Sequence, residues 1–159
     1  MQRKKTIAVI AVSPDTNTGA ISALKRQLDA RNIGSVEFDN PSTSALQALE
    51  ALPFDGLVLI GGSSIPSALV DLEPLCLLLQ DFDSARKLVG AVGLAIGLLA
   101  QAGLLVGKTA SIPPGSEETM KPYGMLHSST ELTRCGWILT AESSASLERF
   151  AAEIYEMLK

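Results

Sequence analysis

The chain has 159 residues, a length that fits one ordinary domain and allows a substantial buried core. Its net charge is −4 at pH 7 and no stripe of Lys and Arg follows the first five residues, which excludes nucleic acid as an expected partner because phosphate binding needs clustered positive charge. Aromatic residues make up 4% of the chain, so the core must consist of Leu, Ile, Val and Ala, as in a sheet covered by helices on both faces.

The predicted elements alternate between strands and helices through the first two thirds of the chain. Aliphatic, β-branched runs predict strands at Thr6–Val12, Ser35–Phe38, Leu57–Ile60 and Leu88–Val92. Apolar residues at helical spacing predict helices over about 18–31, 43–52, 66–82 and 94–102. This alternation predicts a parallel sheet of βαβ units, in which ligands bind at the carboxyl ends of the strands, here the loops 13–18, 61–65 and 93–96.

The last third of the chain is less regular. We predict a strand at Lys108–Ile112, then a polar stretch without periodicity over 117–127, then a hairpin of strands 130–133 and 137–140 that turns at Arg134, Cys135 and Gly136. Ser144 or Ser146 is predicted to cap a final helix with one apolar stripe. The whole chain, 1–159, is then one α/β domain: a flavodoxin-like three-layer sandwich, with a mostly parallel sheet, helices on both faces and a small C-terminal hairpin.

Neither a membrane segment nor a metal set is visible in the sequence. The apolar run after the basic N-terminal residues, Ile7 to Val12, is too short for an export signal. The longest apolar stretch, Leu88 to Val106, is interrupted by four glycines and a glutamine and predicts a buried strand, turn and helix. Two cysteines, Cys76 and Cys135, make neither a disulfide framework nor a metal site. We therefore expect a cytoplasmic protein with no metal and no membrane contact.

Three segments carry a family resemblance. They are Phe54–Gly62, an aspartate followed by an aliphatic strand and two glycines; 89–113, above all Leu98–Pro113; and Gly136–Thr140 with the helix after it. Together they resemble the PfpI family of proteases and deglycases, which includes the DJ-one proteins and belongs to the class I glutamine amidotransferase-like superfamily. The resemblance implies the flavodoxin-like fold, a homodimer, and an oxyanion hole formed partly by the backbone amides at Gly61 and Gly62.

The same resemblance places the family's catalytic positions on residues that cannot perform the chemistry. The nucleophilic cysteine of the family corresponds to Gly93, and the histidine that precedes a proline corresponds to Ile112. Nucleophilic catalysis needs an attacking atom with a base in hydrogen-bond reach, and neither position carries a titratable group. We therefore expect a pseudoenzyme, without a cofactor, that acts as a small-ligand-binding or protein-interaction module.

The turn at position 93 is expected to persist without the thiol. Glycine adopts the strained backbone of a strand-to-helix elbow without the penalty of a Cβ atom. The N–H groups after such a turn have no helical partner and can hold a small anion or a carbonyl compound, although water is the simpler occupant. The candidate ligand-binding residues are Ser13, Gly61, Gly62, Ser63, Gly93 and Leu94.

One alternative is a hydrolase or lyase with a rearranged active site. Such an enzyme would use water or Ser63, which directly follows the two glycines, and Ser13, Ser64 and Ser111 are the other hydroxyls near the predicted cleft. The one histidine, His127, lies in the polar stretch and is expected on the surface, where it is not positioned as a base for any of them.

A second alternative is a flavin or phosphate-ligand carrier. The loop Ser13–Thr18 partly resembles the phosphate loop of flavodoxins. Flavin also needs apolar or aromatic walls for its ring, and the candidates Trp137 and Tyr123 lie outside the expected flavin loops. Hydroxyl residues before a helix are more commonly simple caps.

Overall fold

A six-stranded sheet forms the centre of the molecule. The computed structural model describes residues 5–11, 18–39, 54–61, 73–112, 118, 121–128 and 130–158. The sheet contains β1 (Thr6–Ala11), β2 (Gly34–Asp39), β3 (Gly56–Ile60), β4 (Leu88–Val92), β7 (Leu132–Cys135) and β8 (Ile138–Ala141), in the order β2-β1-β3-β4-β8-β7. Every neighbouring pair is parallel except β7 with β8. The predicted fold class is confirmed.

Helices cover both faces of this sheet. They are α1 (Thr18–Ala30), α2 (Glu73–Ser84), α3 (Ile96–Gln101) and α4 (Leu147–Leu158). Alternate residues of β1 divide between the two layers, since Ile7 and Val9 pack with α1 and α4, while Ala8 and Ile10 pack with α2 and α3. A strand buried on both sides therefore reads as a continuous aliphatic run.

The final helix lies unusually close to the sheet at one point. Phe150 is completely buried, and a Cβ atom added at Gly90 would approach its Cζ atom to 2.9 Å. The same added atom would lie 3.3 Å from a methyl group of Val58. The absence of a side chain at Gly90 therefore lets the ring of Phe150 fit against the middle of β4.

The region between residues 108 and 127 differs from the prediction. The expected strand over 108–112 is reduced to β5 (Thr109–Ala110), and the stretch expected to be irregular contains β6 (Leu126–His127). The two pair in parallel as a separate small sheet, with N–H to O=C hydrogen bonds of 2.9 Å from Leu126 to Lys108 and from Ser128 to Ala110. Two-residue strands carry no periodicity, so the sequence offered no signal for this pairing.

The hairpin forms with a shift of one or two residues. Cys135 pairs with Ile138, so the loop consists of Gly136 and Trp137, and Cys135 belongs to β7 instead of the predicted turn. Gly136 has φ +63°, the left-handed conformation that two-residue hairpin loops favour. Ser143, whose Oγ accepts a hydrogen bond from the N–H of Ala145 at 3.3 Å, caps a short 3-10 turn that leads into α4, and the hydroxyl of Ser146, one of the two predicted caps, has no hydrogen-bond partner among the described residues.

Two of the predicted helices cannot be fully compared with the structure. The predicted helix over 43–52 and the first part of the helix over 66–82 lie outside the described residues. Within the described ranges, no helix combines the length and the apolar character needed to span a bilayer.

Candidate functional site

The polypeptide turns sharply at the end of β4. Gly93 directly follows the strand, has φ +66°, and begins a 3-10 turn over Gly93–Ala95 that continues into α3. The predicted turn at Gly93 is confirmed. An added Cβ atom would meet nothing closer than the Glu142 carbonyl oxygen at 4.0 Å, so the cost of a side chain here comes from the backbone conformation and not from crowding.

The neighbouring strands bring two other segments beside this turn. In the parallel register Val92 pairs with Ile60 of β3 and with Ala141 of β8, so that Gly61 and Glu142 follow at the same edge of the sheet. Gly61 and Gly93 are both half-buried. The structure therefore brings together two of the predicted site residues. Leu94 follows Gly93 in the 3-10 turn, and Ser13, Gly62 and Ser63 lie outside the described residues.

Ile112, the position at which the sequence resemblance expects a histidine, is enclosed in the core. Ile112 is 2% exposed and packs in the layer that contains α2 and α3. An isoleucine in this position neither accepts nor donates a proton. Among the described residues, no group of three or more His, Cys, Asp or Glu side chains is arranged to hold a metal ion.

Ser111, one of the hydroxyls considered as a nucleophile, forms a structural link between three segments. Its side chain is completely buried, and its hydroxyl donates to the Thr130 carbonyl oxygen at 2.6 Å. A second hydrogen bond of 2.6 Å joins the hydroxyls of Ser111 and Thr133, and the Ser111 N–H donates to the Thr140 hydroxyl at 2.9 Å. A hydroxyl held in this way is unavailable to attack a substrate.

Sequence reasoning missed the hydroxyl of Ser146. It is 2% exposed, and its Oγ atom has no hydrogen-bond partner in the described part of the protein. A buried hydroxyl without a partner costs about 1–3 kcal/mol, so such a group is an attractive point for a ligand or an ordered water. Ser146 lies in the 3-10 turn that follows β8, at the same end of the sheet as Gly93. The only signal in the sequence was the serine run at 143–146.

His127 is exposed, as predicted. It lies in β6 opposite Ala110 of β5. In the ranges that the structure covers, its side chain makes no hydrogen bond or ion pair, so nothing there orients it as a catalytic base.

Solved structures with the same fold come from bacteria and animals. A ThiJ/PfpI domain protein from Brachyspira murdochii superposes with a TM-score of 0.83, covering 98% of each chain at 18% identity. DJ-1beta from Drosophila melanogaster superposes with a TM-score of 0.82, covering 98% of this chain and 91% of that one at 20% identity. At these identities the likeness establishes the fold.

Sequence comparison adds one curated relative and one family. An uncharacterized protein of Methanocaldococcus jannaschii is 29% identical over 105 residues, which are 65% of this chain and 51% of that protein. The match thus spans about half the length of that relative. The sequence profile described as the DJ-1/PfpI family matches residues 2–157. The chain therefore belongs to the DJ-1/PfpI family.

Proposed function

We propose that this protein is a non-catalytic member of its family that binds a small carbonyl or anionic ligand at the carboxyl end of the sheet. The observation that carries the proposal is Gly93, a residue with no side chain at the turn where the family resemblance places the nucleophile. The turn itself is retained, with φ +66°. A backbone that keeps this geometry without an attacking atom is suited to binding rather than to bond cleavage.

The surroundings of the turn support binding without catalysis. Ile112 offers no base, and the hydroxyl of Ser111 is engaged in hydrogen bonds to β7 and to the segment before it. Among the described residues, Glu142 follows β8 at this end of the sheet, and the donors there are the backbone N–H groups of the turn after Gly93 and the hydroxyl of Ser146, which has no partner among those residues. These groups donate hydrogen bonds, and carbonyl and carboxylate oxygens accept them. Ser13, Gly61, Gly62, Ser63 and Leu94 complete the proposed ligand-binding set.

The proposal is tested by ligand-dependent thermal stability. Glyoxylate carries both a carbonyl and a carboxylate, so we expect it to raise the melting temperature of the wild type, by about 2–4 °C for each kcal/mol of binding energy in a domain of this size. Gly93→Ala places a methyl group in the cleft and should abolish that increase. The matched control is Gly136→Ala, which introduces the same strain at φ +63° in the distant hairpin and should leave the increase intact.

Catalysis is tested separately with esterase, amidase and glyoxalase substrates. We expect no saturable turnover by the wild type. Turnover that Ser63→Ala abolishes would replace the proposal with the rearranged enzyme. A yellow purified protein with flavin absorbance would instead favour a cofactor at 13–18. If no carbonyl or anion changes the melting temperature, the ligand-binding role fails and a protein-interaction role remains.

We also propose that the protein is a cytoplasmic homodimer. The support is family membership, because the family resemblance implies a dimer. Light scattering coupled to size-exclusion chromatography gives the mass directly. A mass equal to that of one 16.7 kDa chain at micromolar concentration contradicts the dimer.

A further inference from the structure

A groove lies at the amino end of the sheet, opposite the turn at Gly93. Its volume is about 490 Å³. Residues that directly precede the parallel strands β1, β3, β4 and β8 contribute to it, and they are joined by one residue from the end of α2 and one from β7. The lining side chains used below are Lys5, Asp55, Arg86, Lys87, Arg134 and Trp137.

Positive charge dominates this groove, although the whole chain carries −4. Four cationic side chains face one carboxylate, that of Asp55, whose Oδ2 atom accepts a hydrogen bond from the Thr6 N–H at 2.9 Å. In the described parts of the chain, no carboxylate oxygen lies within 4 Å of the side-chain nitrogens of Lys5, Arg86 or Lys87. Among the described residues, these cations therefore have no carboxylate within ion-pair distance.

Arg86 occupies a backbone position that does not suit an arginine. It ends α2 with φ +57°, and hydrogen bonds of 3.0 Å run from its N–H to the Asp83 carbonyl and from the Lys87 N–H to the Phe82 carbonyl. This is the Schellman arrangement, in which glycine, and less often asparagine, is favoured at the left-handed residue. Helix α1 ends in the same arrangement with Asn32 at φ +59°. The presence of an arginine at position 86 is therefore explained better by a contact of its side chain than by the needs of the helix end.

Trp137 forms a fixed aromatic wall beside Arg86. Its indole N–H donates to the Asp83 carboxylate at 2.6 Å. The Arg86 guanidinium carbon lies 5.7 Å from the ring centroid, and the Lys108 ammonium lies 5.3 Å from the centroid and 3.8 Å from the same carboxylate. These contacts are cation–π interactions, and they hold the Arg86 side chain at the groove.

Helix electrostatics account for only part of this charge. A cation after the last turn of a helix interacts favourably with the helix dipole, which applies to Arg86 and Lys87 after α2. Lys5 precedes β1 and Arg134 lies in β7, so neither follows α2, although Met157 and Leu158 at the end of α4 also line the groove. Arg134 is also partly paired, with its guanidinium nitrogen 3.9 Å from the Glu153 carboxylate.

We propose that this groove binds a compact polyphosphate anion, either free or as the phosphate portion of a nucleotide. Several converging cations match the multiple charges of a diphosphate, and the planar guanidinium of Arg86 and Arg134 binds two phosphate oxygens at once. The groove volume is in the range of small-ligand sites. This site is separate from the carboxyl end of the sheet, so it does not depend on the function proposed for Gly93.

The test uses Trp137, the one tryptophan of the chain, as the reporter. Titration of the wild type with inorganic pyrophosphate should change its fluorescence saturably, whereas sodium chloride at matched ionic strength should not. Arg86→Gly relieves the backbone strain and removes the cation, so we expect an unchanged or higher melting temperature and about tenfold weaker binding. Asn32→Gly introduces glycine at the same position of the Schellman arrangement at the end of α1 and should leave the affinity unchanged.

The measured affinities distinguish a nucleotide from a free polyphosphate, and other results would overturn the proposal. Tighter binding of ADP than of pyrophosphate indicates a nucleotide whose base contacts Trp137, and equal or weaker binding indicates a bare polyphosphate. Arg86→Asn serves if the glycine variant does not fold, since asparagine tolerates the same conformation. An identical response to chloride, or wild-type affinity in the Arg86 variant, overturns the proposal. Wild-type affinity in Gly93→Ala shows that the two ends of the sheet act separately.

Discussion

The two ends of the parallel sheet differ in the kind of group that they present. At the carboxyl end, the turn at Gly93 offers backbone N–H groups, and the buried Ser146 lies in the 3-10 turn that follows the neighbouring strand β8. At the amino end, the groove offers charged side chains around an aromatic ring. Among the described residues, a group of cationic side chains therefore lies at the amino end, opposite the end where such sheets usually bind ligands.

The largest loss of stability that we predict comes from Phe150, whose ring packs against the middle of β4, between the two ends of the sheet. Phe150→Ala should lower the free energy of unfolding by about 3–5 kcal/mol, because it empties the space that a fully buried ring fills against β4. Urea unfolding followed by far-UV circular dichroism measures this loss. Glu148→Ala, on the exposed side of the same helix, is the control and should change little. Equal losses of unfolding free energy in Phe150→Ala and Glu148→Ala would show that the buried ring stabilises the protein no more than an exposed side chain does.

The next largest effect tests the same contact from the sheet. Gly90→Ala should destabilise the protein by about 1–3 kcal/mol, since its Cβ atom would lie 2.9 Å from the ring of Phe150. In a double-mutant cycle, the smaller side chain of Phe150→Leu should reduce the cost of the added methyl group. Strict additivity of the two changes would contradict the proposed crowding.

Two glycines compare the ends directly. Gly93 at the carboxyl end and Gly136 at the amino end have φ values of +66° and +63°, and neither would bring an added Cβ atom closer than 4.0 Å to a neighbour. Each substitution by alanine should therefore cost about 1–2 kcal/mol from backbone strain alone. Urea unfolding of both variants gives the difference. A clearly larger loss of unfolding free energy in Gly93→Ala than in Gly136→Ala would show that an added side chain at the carboxyl end costs more than the backbone strain alone.

A smaller effect is expected at Asp83. Asp83→Ala removes the acceptor of the Trp137 indole N–H and the partner of the Lys108 ammonium, in a region that is only half-buried. We expect a loss of about 1 kcal/mol and a change in the tryptophan emission maximum. Lys108→Ala is the comparison, since it removes the cation but keeps the indole hydrogen bond. An unchanged emission maximum in Asp83→Ala would show that the aromatic wall does not depend on this carboxylate.

The smallest effect concerns a thiol near the start of α2. Burial raises the pKa of the Cys76 thiol, so less of the reactive thiolate is present at a given pH. In a Cys135→Ser background, alkylation at about pH 8 should be slower for the folded protein than for the same protein in denaturant. The alkylation rates of the folded and the denatured protein should converge as the pH rises above the raised pKa of the Cys76 thiol. Equal rates at pH 8 would indicate that the thiol is accessible and ordinary.

The sequence predicted the central sheet well because its strands are buried on both faces. The bounds predicted for β4, Leu88–Val92, match the structure residue for residue, and the turn at Gly93 follows from the end of this run. The small sheet of β5 and β6 was missed because its pairing joins two short segments that are far apart in the chain. The hairpin shifted because a two-residue loop with glycine in a left-handed conformation replaced the longer predicted turn.

The charged groove was beyond sequence reasoning for a different reason. Its cations stand at positions 5, 86, 87 and 134, in three separate parts of the sequence, and they converge only because parallel strands begin at one edge. The left-handed backbone of Arg86 is also invisible in a sequence, since arginine is rarely found there. The burial of Ser146 depends on how the turn before α4 packs, which the serine run does not specify.

The hydrogen bonds of Ser111 have a consequence for folding kinetics. They join Ser111, which directly follows β5, to residues 19, 22 and 29 positions further along the chain. Two of these bonds reach Thr133 of β7 and Thr140 of β8, so we expect the full set to form only once the hairpin of β7 and β8 is in place. The small sheet is therefore expected to complete late during folding and to open together with the hairpin rather than to fray independently.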